Sequence, residues 1–236
     1  MIEILQEYWR AFLWTDGYGL SGLAMTLWLL TASIAIGFVA SLPLSVARLS
    51  RHRLIRWPIQ FYTYVFRGTP LYLQLLICYT GIYSIEAVRN QPLMNEFFRD
   101  ALNCTILAFA LNTCAYTTEI FAGAIRNIPL GEIEAAKAYG LTGWRMYIHV
   151  IMPSALRRAL PYYSNEVILM LHSTTLAFTA TVPDILKVAR DANTATFLTF
   201  QSFGIAAILY LILSFTLIGL FRLAERRWLA FLGPAR

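Results

Sequence analysis

The chain has 236 residues, 58% of them hydrophobic and only 14% charged, with a formal net charge of +6. Soluble domains carry about 25% charged residues, so this composition excludes an ordinary water-facing surface and calls for lipid around the molecule. The positive charge does not mark a nucleic-acid binder, because the basic residues gather in loops between apolar segments, as membrane topology requires.

The first nineteen residues carry Glu3, Glu7 and Asp16 ahead of the first apolar run. A cleavable signal peptide starts basic, so none is expected, and 1–19 reads as an outer or interfacial segment. A spanning helix needs about 20 mostly apolar residues. Five segments qualify: 20–47, 68–85, 103–125, 155–181 and 203–221. Residues 57–66 are aromatic and amphipathic; they either lie in the interface or lengthen the second span. Pro43 and Pro70 are expected to kink their helices, which membrane bundles tolerate. The expected fold is therefore all-α: one five-span membrane domain over 20–222, followed by a tail at 223–236.

Arginine and lysine orient these spans. Arg48, Arg51, Arg53, Arg56 and Arg67 flank the first connection. Arg126, Lys137, Arg145, Arg157 and Arg158 flank the third, and Arg222, Arg226, Arg227 and Arg236 follow the last span. The opposite side holds Arg10, Arg89, Arg99, Lys187 and Arg190. The richer side is the cytoplasm, which puts the N-terminus outside and the C-terminus inside. The outer loops are then 86–100 and 183–200. Arg67 reads as a headgroup-level anchor of the second span, with contact to coupling machinery as the alternative. No internal repeat is visible, and five spans do not divide into the inverted halves of many secondary transporters. Cys78, Cys104 and Cys114 lie in or beside apolar segments without metal-site spacing, so they read as buried small hydrophobes.

The third connection, 127–153, is the most distinctive stretch. Pro129 and Gly131 break the chain, and Glu134 to Tyr139 is a good helix former containing Ala135 and Ala136. Two alanines let another backbone approach closely. Gly140 suits a sharp turn, and Thr142 is placed to cap a second short helix over 143–150 with Trp144 and Tyr147 at the interface. One reading is a plain interfacial connector. The other is a docking knob for a second protein.

Glu134-Ala135-Ala136, three residues, Gly140, and a hydrophobic position followed by a proline (Val150, Met152-Pro153) resemble the EAA motif of bacterial ABC importer permeases. Val150 and Met152 are mild departures from its Ile and Leu. Phe66-Arg67-Gly68-Thr69-Pro70-Leu71 with Gln74 is similar to a signature of the polar amino acid subfamily. So are Ala115-Tyr116-Thr117-Thr118-Glu119-Ile120-Phe121 with Gly123, Leu156-Arg157-Arg158-Ala159-Leu160-Pro161, and Asn165-Glu166. The likeness runs over about residues 20–222 and leans to the branch that imports histidine, lysine, arginine and ornithine. One departure is His172-Ser173-Thr174-Thr175-Leu176, where the subfamily usually has Lys-Asp-Thr-Ser-Leu.

The resemblance implies a heterodimer with a second homologous permease, two copies of an ATP-binding subunit, a periplasmic amino-acid-binding protein, and surrounding membrane lipid of the inner membrane. It implies that Glu134, Ala135, Ala136 and Gly140 couple to the ATPase, which holds ATP and magnesium. This chain has no phosphate-binding glycine loop, so no cofactor, metal or catalytic residue is expected in it.

Ionisable groups inside a membrane are costly and face a cavity or a partner. Asn112, Tyr116, Glu119 and Gly123 share one helix face. On the next span Tyr162, Glu166, Leu169 and Ser173 do the same, with Asn165 and His172 at the edge. Two polar stripes suggest a shared substrate passage. Glu166 is either a counter-charge for a cationic substrate or an internal ion-pair partner of Arg157, Arg158 or the second permease. Glu119 reads as structural, and His172 as a hydrogen-bonded packing residue.

Two other classes are open to test. An intramembrane protease would use Gly19-Leu20-Ser21-Gly22, with His172 as the nearest partner for Ser21. An ion-coupled secondary transporter would leave the 134–140 knob without work.

Overall fold

The computed structural model describes residues 2–229. It is helical throughout, with isolated bridges but no strand among the described residues. The helix α1 (Ile2–Leu13) is amphipathic and buries Ile4 and Phe12. It folds back onto α11 (Ile185–Thr196) and α12 (Thr199–Trp228), forming a cluster with Ile185, Val188, Ala189 and Ile205. The second helix, α2 (Gly22–Arg48), contains Pro43 without being interrupted by it.

At Pro70 the expected kink is instead a complete break. The helix α3 (Arg53–Gly68) takes in the aromatic 57–66 stretch as a helix of its own. After Thr69, α4 starts at Leu71 with Pro70 in the capping position, φ −61° and ψ 133°. The break follows from proline, which drives the residue before it out of the helical region. Thr69 duly sits at φ −112°, ψ 145°. α4 (Leu71–Leu76) runs on through a π-helical turn (Ile77–Gly81) into a 3-10 turn (Ile82–Ser84). The apolar helix Leu71–Ser84 is thus shorter than the 68–85 span expected.

Two short helices, α5 (Glu86–Asn90) and α6 (Pro92–Arg99), fill the next connection. The Asp100 carboxylate then accepts the Leu102 amide proton at 2.7 Å and caps α7 (Ala101–Arg126). α7 is the hub, packed against α2, α3, α4 and α10. Its seam with α2 uses small residues at four-residue intervals, Ser33, Gly37, Ser41 and Ser45, all buried. At Gly37 a β-carbon would run into the Thr113 side chain and lie 3.2 Å from the Ala110 oxygen. Small residues at such a crossing let two backbones meet where hydrophobic driving force is weak.

The connection after α7 folds as α8 (Leu130–Ala138), then α9 (Gly143–Met146) and a π-helical turn (Tyr147–Ile151) that leads into α10 (Met152–Ser173). Thr142 stands at the capping position of α9 but its hydroxyl makes no capping bond. α10 passes into a 3-10 segment (Thr174–Ala180) before α11. By length and composition α2 and α12 qualify as membrane-crossing helices. α7 and α10 are more polar, with Asn112, Tyr116 and Glu119 on one and Tyr162, Glu166 and Ser173 on the other. All three cysteines are free and buried. Ser21 is fully buried and donates its hydroxyl to the Ala11 carbonyl at 2.8 Å, which removes it as a nucleophile.

Candidate functional site

The break between α3 and α4 leaves the last carbonyls of α3 without helical partners. Two buried amides answer them. Gln74 Nε2 donates to the Phe66 carbonyl at 2.8 Å and to the Thr69 carbonyl and hydroxyl at 3.1 and 2.8 Å. Asn112 Nδ2 on α7 donates to the same Phe66 carbonyl at 3.1 Å and to Gln74 Oε1 at 3.0 Å. This network fixes the chain from Phe66 to Thr69 against α7. Asn112, expected in the substrate passage, borders it, with its amide N–H groups directed to the Phe66 carbonyl and the Gln74 side chain.

Beside the break lies a cavity of about 640 Å³ lined by Arg67, Thr69, Asn112, Tyr116, Glu166, Leu169, His172 and Ser173, among others. Its volume is that of a small-molecule site. The two stripes read from α7 and α10 therefore do meet. Glu166 is 6% exposed. Arg67 lines the same cavity. His172 Nε2 lies 3.0 Å from the Ser214 hydroxyl on α12, and Ser173 donates to the Leu169 carbonyl at 2.9 Å. Asn165 is exposed and lines no described cavity.

A second cavity, about 510 Å³, is lined by Arg67, Tyr116, Glu119, Gly123, Asn127, Arg158 and Tyr162. Arg67 and Tyr116 border both cavities. The Arg67 guanidinium sits 5.2 Å from the Tyr116 ring centroid, and the Tyr116 hydroxyl donates to the Arg67 carbonyl at 3.3 Å. Sequence reasoning took Arg67 for a headgroup anchor. The α3–α4 break sets it at the border of both cavities, and Gln74 four residues beyond Pro70 was the signal for that break.

Glu119 has a structural setting. Arg48 Nε at the end of α2 donates to Glu119 Oε1 at 2.7 Å, and the buried Thr63 hydroxyl of α3 donates to the same oxygen at 2.8 Å. One carboxylate thus ties three helices.

The connecting loop is a built object. Leu141 N donates to the Ala136 carbonyl at 3.0 Å and Gly140 N to the Lys137 carbonyl at 2.9 Å. Gly140 takes φ +77°, the left-handed position of a Schellman ending. Glu134 and Ala135 are exposed, while Ala136 is buried within the chain itself. Leu130, Tyr139 and Trp144 are exposed at 73%, 88% and 76%, an aromatic surface around the knob. Glu132 Oε2 accepts from the Ser154 hydroxyl at 2.6 Å, and Glu132 Oε1 from Arg158 Nη2 at 2.7 Å. The Ser154 hydrogen bond and the Arg158 charge hold the Glu132 carboxyl below the usual range. Ile128, Ile151 and Ala155 form a small core beneath α8.

The family model described as "Binding-protein-dependent transport system inner membrane component" matches residues 33–229. The histidine/lysine/arginine/ornithine transport system permease protein HisM of Salmonella typhimurium is 64% identical over 97% of both chains. Its Escherichia coli K12 counterpart is 63% identical over 100% of this chain and 99% of its own. The octopine transport system permease protein OccM of Rhizobium radiobacter is 42% identical over 91% and 88%. A solved amino acid ABC transporter with histidines superposes with a TM-score of 0.78 at 27% identity, covering 96% of each chain. An inward-facing MetNI methionine transporter shares the fold, with a TM-score of 0.68 at 16% identity over 97% of each. On this near full-length likeness the chain belongs to the binding-protein-dependent transport system inner membrane components, the permeases of ABC importers.

Proposed function

We propose that this chain is the membrane-spanning permease subunit of an ATP-driven importer carrying basic amino acids (histidine, lysine, arginine and ornithine) from periplasm to cytoplasm. The 64% identity over 97% of the chain to a permease of that named specificity carries the reading. The chain crosses the inner membrane five times within 20–222, with 1–19 outside and 223–236 inside. The gathering of the loop 127–153 with Arg48, Arg51, Arg53 and Arg56 at one end of the bundle supports that orientation, since Trp144 and Tyr147 share a groove with Leu49, Ser50 and Ile55.

The chain supplies no catalytic residue. A partner ATPase, present in two copies, binds ATP and magnesium, and a second homologous permease completes the pathway. A periplasmic binding protein delivers substrate to the loops 86–100 and 183–200. Glu134, Ala135, Ala136 and Gly140 present the knob that the ATPase grips, joined by Tyr139 and Trp144. Displacement of α8 reaches α10 through the Glu132 contacts to Ser154 and Arg158 and through the Ile128–Ile151–Ala155 core. α10 carries Tyr162, Glu166 and Ser173, so the motor's movement arrives directly at the cavity wall. There Glu166 attracts the substrate's cationic side chain, with Tyr116, Asn112 and Ser173 around it. Glu119 holds the adjoining wall.

The test is uptake of labelled arginine by cells that lack their own importer and express this chain with its partner subunits. Uptake should need ATP, and deletion of 134–140 should abolish both uptake and co-purification of the ATPase. Transport by this chain alone, driven by an ion gradient, would favour the secondary-transporter reading and overturn this one. Glu166→Gln should cut arginine uptake about tenfold or more; normal uptake would remove the counter-charge.

A further inference from the structure

Arg67 is a cation built into the wall of the passage. Gln74 and Asn112 pin the backbone on one side of it at Phe66, and Gln74 pins it on the other at Thr69. Its guanidinium lies over the Tyr116 ring. That contact engages the π face and leaves the planar N–H donors available. Among the described residues no carboxylate stands within ion-pair distance of Arg67. It shares the first cavity with Glu166 and the second with Glu119. Among the described residues Arg67 is also the one arginine or lysine lining the first cavity, and Glu166 the one acid.

A cavity with one guanidinium and one carboxylate matches a particular solute: one bearing a carboxylate and, some atoms away, a cation. We propose that Arg67 is the ligand for the substrate's α-carboxylate, forming with Glu166 a two-charge clamp across the first cavity. This rests on the reading of Glu166 as the site for the basic side chain and adds the opposite pole. A guanidinium is the preferred partner of a carboxylate because its two parallel N–H groups match the two oxygens. The clamp also resolves an electrostatic conflict. A bare cation entering beside Glu166 would meet the Arg67 charge, whereas a zwitterion brings its own anion to neutralise it. Because Arg67 borders both cavities, it can keep hold of the carboxylate as the substrate moves from the first to the second. Arg67 therefore selects for amino acids over amines, and Glu166 for basic side chains over neutral ones.

The experiment uses the complete importer in lipid nanodiscs without the binding protein, which has its own carboxylate recognition. Bound labelled arginine is competed with unlabelled arginine, argininamide (no carboxylate) and citrulline (no cationic side chain). The wild type should prefer arginine over each competitor by about tenfold or more, the worth of one charge-assisted pair. Arg67→Gln should bring argininamide within about twofold of arginine while keeping the preference over citrulline. Glu166→Gln should do the reverse, and Arg67→Lys should restore part of the carboxylate preference. Argininamide competing as well as arginine in the wild type overturns the proposal, whether or not any variant assembles. An Arg67→Gln protein with wild-type discrimination overturns it too. Glu166→Gln with wild-type discrimination against citrulline, while Arg67→Gln loses only the discrimination against argininamide, would instead sink the Glu166 reading alone. Absence of saturable arginine binding in the wild type would sink both.

Discussion

Arg48 and Glu119 show how a single contact inside a bundle is worth more than its distance suggests. Both side chains are largely withdrawn from solvent, at 13% and 19% exposed, and the Thr63 hydroxyl completes the carboxylate. Removing one partner strands the other, which costs about 3 kcal/mol or more for a buried pair. Arg48→Ala should therefore lower the melting temperature of the purified complex more than Arg48→Ala combined with Glu119→Gln, and a double-mutant cycle reads the difference. At Glu132 the prediction concerns pH. Its carboxyl is depressed by Ser154 and Arg158, so its contribution is present above the ordinary glutamate range. It is lost as pH falls through the lowered folded value. The group is partly exposed, so the effect is local. The protection of the α8 amides, relative to their intrinsic exchange rate at each pH, should fall on acidification, and Glu132→Gln should show low protection at neutral pH as well. An unchanged α8 in that variant would contradict the link to α10.

At the scale of elements, glycine marks two places where no side chain fits the geometry. Gly37 lets α2 and α7 meet against Thr113, and Gly37→Leu should prevent assembly, read as loss of the protein from the membrane fraction. Gly140 ends α8 in the left-handed region at φ +77°, with open space around it. Gly140→Ala therefore meets strain and no clash, costing about 1–2 kcal/mol. It should leave the complex folded while reducing ATP-driven uptake several-fold, since the knob loses its fixed ending. Full uptake in that variant would show that the shape of the turn is not used. The α3–α4 break is the element that sequence periodicity alone misplaces. A proline in an apolar run suggests a kink. Here the amides of Gln74 and Asn112 stabilise a full interruption, because they satisfy the carbonyls that a break exposes.

At the scale of the molecule, α12 buries little within the chain and exposes Ile208, Leu211, Ile212, Phe215, Leu220 and Leu223. Such a surface needs lipid or a second bundle against it. Orientation can be read with a membrane-impermeant thiol reagent, since the native cysteines are buried. A cysteine at Tyr18, fully exposed, should react in intact cells, and one at Leu54, 91% exposed in the arginine-rich connection, only after lysis. The reverse pattern would invert the topology. Apolar segment lengths and the sparse charge determined by themselves an all-helical membrane protein, because the bilayer imposes its thickness on any chain that crosses it. The spacing of Glu166 and Tyr116 on their helices likewise determined that polar faces exist. Which faces meet, that Arg67 borders two cavities, and that Glu132 ties the knob to α10 were decided only by tertiary structure. Those contacts join residues far apart in the chain, and pairing across such separations is set by how helices pack, not by any local pattern.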